Sequence, residues 1–236
     1  MDFKAQLTLR TINIFSQEYD MKDVLGCGAF GVVRLAIHKP TDCKVAVKVV
    51  NKMKISKKNP KYIELLKKEI TTLQESHHPN IVKVLELCED KDNFYCVMEL
   101  ITGGTLTELM NKRAMPETKV KYIINQMVKA LKFLHTTKEI THRDLKPDNI
   151  LIEAPDRGAS GYDPDRIRVK LTDFGFATFF NKDTSTLNMG LGTARYMAPE
   201  LLSGGVHGFK VDIWALGVIT YLALAGTDIW QAKDQP

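Results

Sequence analysis

The sequence predicts an α+β chain of two lobes, strands first and helices after. Short β-branched or aromatic runs occupy the stretch up to residue 101, a long amphipathic helical pattern follows residue 102, and an apolar run at 213–225 reads as a buried helix. Residues 1–18 read as an N-terminal extension, 19–101 as the strand-rich lobe and 102–236 as the helical lobe.

The runs "YDMKDVLG", "GVVRLAIH", "KVAVKVV", "IVKVLELC" and "NFYCVMEL" are separated by Gly, Pro, Asn and Asp, the pattern of short strands between turns. One helix interrupts them. In "PKYIELLKKEITTLQESHHPN", Ile63, Leu66, Ile70 and Leu73 recur at spacings of three and four, and His-Pro closes the segment. After "TGG" at 102–104 the pattern changes. "MPETKVKYIINQMVKALKFLH" has Pro116 near its start and an apolar stripe of Val120, Ile123, Met127, Leu131 and Leu134, a long amphipathic helix. "EAPDRGASGYDPDR" (153–166) reads as a polar surface insertion without chemistry. The run at 213–225 is shorter than the roughly 20 residues a membrane span needs, so it reads as a core helix and no membrane span is expected.

Composition narrows the function. The 236 residues are 26% charged and 44% hydrophobic, which suits a soluble globular chain. No N-terminal segment has the form of a secretory signal. Cys27, Cys43, Cys88 and Cys96 include no C-x-x-C pair, which fits a reducing compartment, cytoplasmic or nuclear, and argues against a zinc site. The net charge of +5 gathers in lysines between 44 and 68. Glu64 and Lys68 form an i,i+4 pair there, so the stretch reads as a solvated helix face and loop, and no nucleic-acid partner is expected.

"LGCGAFGVV" (25–33) holds Gly26, Gly28 and Gly31 as G-x-G-x-x-G. A dinucleotide fold would open a helix here, yet the strand-like "VVRLAIH" follows. The residues therefore suit a glycine-rich flap between two strands, and an ordinary glycine hairpin fits them too. "VAVK" puts Lys48 inside an apolar strand, where a lysine needs a partner. Glu69 qualifies, with Leu65, Leu66 and Leu73 at −4, −3 and +4 on the same inward stripe; a purely structural salt bridge is the other reading. "HRDLKPDN" (142–149) packs His, Arg, two Asp, Lys and Asn into eight residues. "LTDFG" (171–175) and "GTARYMAPE" (192–200) follow.

In this order the five motifs resemble the eukaryotic protein kinase family, over about residues 19–230. Lys146 and Thr193 make the resemblance one to serine/threonine kinases, and "HHPNIVKV" and "VMELITGG" are most similar to the calcium/calmodulin-dependent group. The resemblance implies a two-lobed protein-kinase fold and transfer of the ATP γ-phosphate to protein Ser or Thr hydroxyls. It implies that Leu25, Gly26, Cys27, Gly28, Ala29, Phe30, Gly31, Val32 and Val33 cover the ATP phosphates, and that Lys48, held by Glu69, grips them. Adenine would meet Val33, Ala46 and Leu151, with the backbone of Glu99 and Ile101 as hydrogen-bond partners. Asn149 and Asp173 would hold Mg²⁺, Asp144 would take the acceptor hydroxyl's proton, and Lys146 would steady the γ-phosphate. Leu73, Val84, His142 and Phe174 match the family's stacked apolar column, anchored by Asp212, and Phe176 suggests serine acceptors.

Three departures accompany the resemblance. Thr105 stands where the group usually has a glutamate, with Glu108 as the nearby acid that can stand in for it. Met189 occupies the usual activation-loop phosphosite, with Thr184, Ser185 and Thr186 as alternatives. The sequence ends eleven residues after the apolar run, where the family continues through further helices. The expectation is an incomplete helical lobe, sticky or marginally stable unless a partner or a compact tail covers its apolar helix; the alternative function is a truncated, weakly active or inactive kinase-like module that binds ATP or a partner protein.

Overall fold

A computed structural model describes residues 10–11, 15–28, 31–53, 77–154, 167–173, 194–203 and 208–230. The predicted helix around 60–76, the insertion at 155–166 and the segment 174–193, with its phosphosite alternatives and Phe176, lie outside the described residues. The chain divides into two compact units, Met1–His77 with Val82–Leu100, and His78–Ile81 with Ile101–Pro236.

In the first unit the alternating runs form a six-stranded sheet ordered β1-β5-β6-β4-β3-β2. Its strands are β1 (Arg10–Thr11), β2 (Tyr19–Gly28), β3 (Gly31–His38), β4 (Cys43–Asn51), β5 (Val84–Glu89) and β6 (Asn93–Glu99). All neighbours are antiparallel except β1 and β5. Cross-strand partners share a face, so the register sorts the side chains into two sets. Val33, Lys48 and Cys96 align across β3, β4 and β6, as do Leu35, Ala46 and Met98. On the opposite face Ala36, Val45, Val47, Tyr95 and Val97 form an apolar core with Phe15 and Tyr19. Phe15, from a 3-10 turn at Phe15–Gln17, lies between the Tyr19 and Tyr95 rings, with centroids 4.5 and 4.0 Å away and nearly parallel planes. The Tyr95 hydroxyl donates to Asp90 Oδ2 at 2.6 Å. Burial, with help from that bond, pushes the Tyr95 phenol up to about 12.

The second unit begins its regular structure at α1 (Leu106–Met110), followed by α2 (Glu117–Thr137), β7 (Ile150–Ile152), β8 (Val169–Leu171), α3 (Pro199–Leu202) and α4 (Lys210–Ala225). Pro116 precedes the first turn of α2, and the predicted stripe Val120, Ile123, Met127, Leu131 and Leu134 is its buried side. β7 and β8 pair antiparallel. Gln126 ties α2 to this hairpin: its Oε1 accepts from Asn80 Nδ2 and Val169 N, and its Nε2 donates to Ile167 O. The helix α4 begins before the apolar run and ends at Gly226, whose φ of 69° suits glycine. It buries Val211, Asp212, Ala215, Leu216, Val218 and Ile219 and exposes Ile213, Trp214, Tyr221 and Leu224. Among the described residues no helix is long and apolar enough to cross a membrane.

Candidate active site

The loop after α2 is shaped by one buried carboxylate. Asp212, in the first turn of α4, is 1% exposed. A buried carboxylate persists only where its acceptor sites are filled. Asp212 Oδ2 accepts from His142 N at 2.8 Å and lies 2.7 Å from His135 Nε2, and Oδ1 accepts from Arg143 N at 2.8 Å. Two successive N–H groups thus converge on one side chain, and Arg143 adopts a φ of 65° in doing so. A non-glycine residue in the left-handed region costs about 1 kcal/mol, which the three bonds offset.

His142 is fully buried and closes the loop from the other side. Its Nδ1 accepts from Asp144 N at 3.3 Å, so the proton resides on Nε2, which donates to Thr172 O at 2.9 Å. The loop is thereby fastened to the end of β8, next to Asp173. Asp173 is itself left-handed, with φ 61°.

The loop presents Asp144. Its Oδ2 accepts from Lys146 Nζ at 2.9 Å and from Asn149 Nδ2 at 3.1 Å. The same Asn149 nitrogen donates to Asp144 O at 2.8 Å. Asn149 sits in a 3-10 turn at Pro147–Asn149, and its carbonyl accepts from Thr172 N at 2.9 Å. The other carboxylate oxygen, Asp144 Oδ1, is buried and has no hydrogen-bond partner among the described residues. A carboxylate held through one oxygen in this way can serve as a proton acceptor for a hydroxyl. Asn149, with its amide nitrogen spent on Asp144, keeps its carboxamide oxygen as the end that can meet a cation. A water-sized void of about 10 Å³ lies beside Asp144, between Arg143, Leu145, Tyr196, Met197 and the buried Val211, Asp212 and Ala215 of α4. Burial pushes the Tyr196 phenol upward.

Further residues of this unit frame the same loop. Leu151 lies on β7, bridged to Thr105. Ile101 is half-buried, just before the two glycines. Gly103 N donates to Ile152 O at 3.0 Å, and Ile152 N donates to Gly104 O at 2.9 Å. Thr105 caps α1 in a reciprocal box, its Oγ1 accepting from Glu108 N at 3.2 Å while Glu108 Oε2 accepts from Thr105 N at 3.0 Å. The Glu108 carboxylate thus serves the helix terminus through Oε2, an ordinary use of an acid at that position.

In the first unit the glycine-rich segment is the β2–β3 hairpin, with Gly28 opposite Gly31. Ala29 and Phe30 lie outside the described residues, as do Glu69, Leu73 and Phe174. The glycines differ in their reasons. A Cβ on Gly31 would sit 2.1 Å from Val49 O, so the hairpin itself requires glycine there. A Cβ on Gly26 would meet nothing within 4 Å, so internal packing does not. Leu25 is exposed, Cys27 is an exposed free thiol, and Val32 points to the opposite face from Val33. Val33, Ala46 and Lys48 share the first face of the sheet, and Lys48 is 5% exposed. Glu99 N donates to Lys83 O at 3.0 Å and its Oε1 accepts from Lys83 N at 2.7 Å. Val84, from the expected apolar column, is buried in this unit, and His142 in the other.

The sequence reading did not single out His135, Gln126 or the Arg195–Asp228 pair. Each joins residues far apart in the chain, and although Arg195 lies within "GTARYMAPE", nothing in that motif names its partner.

This β-rich unit and helical unit, with a pinned Asp144 loop, have the make-up of a protein kinase domain. Residues 19–236 match the protein kinase domain family, and the chain belongs to it. It is 37% identical over 214 residues to the probable serine/threonine-protein kinase fhkC of Dictyostelium discoideum, covering 89% of this chain and 34% of that protein. It is 36% identical over 222 residues to calcium/calmodulin-dependent protein kinase type II of Caenorhabditis elegans, covering 94% of this chain and 29% of that protein. The crystal structure of Rad53 1–466 in complex with AMP-PNP aligns with a TM-score of 0.72 at 32% identity, over 92% of this chain and 51% of that one. The chain spans about a third of the length of these two curated relatives.

Proposed function

We propose that the chain is a serine/threonine protein kinase that transfers the γ-phosphoryl group of ATP to protein hydroxyls. The observation that carries this reading is the Asp144 carboxylate, presented by a loop pinned through Asp212 and His142 and oriented through Oδ2 by Lys146 and Asn149. In the step, the acceptor hydroxyl oxygen bonds the γ-phosphorus as the bond to ADP breaks, and the hydroxyl proton passes to Asp144. Such a step depends on positioning and charge more than on covalent help. Lys146, 2.9 Å from Asp144, brings a positive charge to the transferred group.

Asn149 and Asp173 are the residues that would hold Mg²⁺. They fit it, being hard oxygen donors, with the Asn149 nitrogen already directed at Asp144. When bound, the ion supplies neutralisation of phosphate charge. Residues Leu25 to Val33 and Lys48 would bind the phosphates, with Glu69 as the lysine's partner. The open space at Gly26 suits close backbone approach by a ligand. Val33, Ala46, Leu151, Glu99 and Ile101 would receive the adenine. The relative solved with AMP-PNP supports ATP as the donor. The four free cysteines support a reducing compartment such as the cytoplasm.

The test is phosphoamino-acid analysis after incubation with Mg-ATP and a generic basic protein. Phosphoserine or phosphothreonine is expected. No incorporation, or phosphotyrosine alone, overturns the reading. One observation favours a second reading, a module that binds nucleotide and a partner protein without transfer: α4 exposes Ile213, Trp214, Tyr221 and Leu224 on one unit.

A further inference from the structure

The sheet face that carries the apolar core of the first unit is covered at one end. There Phe15 and Tyr19 pack with Ala36, Val45 and Val47. Beyond them the same face forms a groove of about 490 Å³, a size in the range of small-molecule sites. Its floor is the row Val32, Val49 and Tyr95, aligned across β3, β4 and β6. The Tyr95 hydroxyl is spent on Asp90, so the ring is what it offers the groove. The exposed Val24 on β2 extends the apolar lining. Two polar features interrupt it. Asn51 and Asn93 face each other across β4 and β6, joined at 3.3 Å. Arg34 stands two residues along β3 from Val32, opposite Val24. Its Nε and Nη2 donate to Lys22 O at 2.9 and 2.7 Å, and its Nη1 has no partner among the described residues. The neighbouring carboxylate of Asp20 is bound by Lys22 at 2.5 Å.

We propose that this groove binds an amphipathic organic monoanion, an aliphatic carboxylate whose chain lies on Val24, Val32 and Val49 and whose carboxylate meets Arg34 Nη1. Charge complementarity decides the class. An apolar groove alone would take any hydrocarbon, but a guanidinium with an open nitrogen in its wall selects an anion. The Asn51 and Asn93 amides are joined to each other, so the head group goes to Arg34. Val33, Ala46 and Lys48 lie on the opposite face of the sheet, so a nucleotide on those residues does not compete for the groove. The inference goes beyond the phosphotransfer reading and does not depend on it.

The test titrates decanoate, kept below micelle formation, into the whole chain by calorimetry. Saturable binding is expected, with Mg-ATP not displacing the acid. Uncharged decanol should bind about tenfold more weakly, the effect of one hydrogen bond between charged groups. Arg34→Gln removes the cation and should weaken decanoate by a similar factor. Val24→Trp, at an exposed position, fills the groove and should abolish binding. Thermal midpoints recorded for both variants show that each is folded, and either one alone suffices for the comparison. No saturable binding by the wild type, equal affinity for decanol, wild-type affinity in the folded variants, or displacement by Mg-ATP overturns the proposal. A dimer of this chain that Val24→Trp disperses would make a second copy the occupant and would overturn it as well.

Discussion

Asp212 Oδ2 accepts the backbone N–H of His142 at 2.8 Å, across 70 residues of chain. With Arg143 N on its other oxygen, it sets the path of the loop that carries Asp144. The aspartate touches no reacting group, yet the loop's geometry depends on it.

Asp212→Ala should therefore leave two backbone N–H groups and His135 without their buried acceptor. Hydrogen bonds to charged groups contribute about 1.5–3 kcal/mol each, and an unsatisfied buried donor costs about 1–3 kcal/mol. A loss of at least 2 kcal/mol in urea unfolding is expected, with phosphate transfer falling alongside it. Wild-type stability would show that the loop holds its shape without this carboxylate.

The two glycines at the hairpin separate folding from binding. Gly31→Ala places a Cβ against Val49 O, at 2.1 Å in the unrelaxed hairpin, and should lower the thermal midpoint. Gly26→Ala meets open space, so the midpoint should hold while ATP affinity falls. Equal effects of both substitutions on folding would remove the distinction.

Phe15 lies between two tyrosine rings on the core face of the sheet. Phe15→Ala should cost about 3–5 kcal/mol, the usual range for a buried phenylalanine. Chemical denaturation measures it directly. A cost near zero would mean that Tyr19 and Tyr95 close over the gap.

Alkaline pH should weaken the same face. Tyr95, ordinarily near 10, is raised to about 12 by burial first and the Asp90 bond second. A raised value means that the folded chain holds this proton more tightly, so the contribution is complete below pH 10 and is lost as pH rises through 12. The stability advantage of wild type over Tyr95→Phe should shrink across that window. A constant difference would contradict it.

The fold was legible because its signals are local. Alternation in "KVAVKVV" places Ala46 and Lys48 on one face, and the α2 stripe needs only its own spacing. The Asp144 loop was legible because its residues lie within eight positions of one another. What the sequence hid is held by distant partners. His135 meets Asp212 across 77 residues, and Arg195 meets Asp228 across 33, with no periodicity to announce either pair. Glu108 is similar: in sequence, an acid three residues after Thr105 fits a ligand contact or a cap equally, and the cap shows only in the geometry of α1.

The most direct test compares wild type with Asp144→Asn for phosphate transfer and ATP binding in parallel. The substitution keeps size and hydrogen bonding but removes the proton acceptor. Transfer should fall by about 10²- to 10⁴-fold while ATP affinity stays within twofold. Equal phosphate incorporation by both proteins would contradict the account.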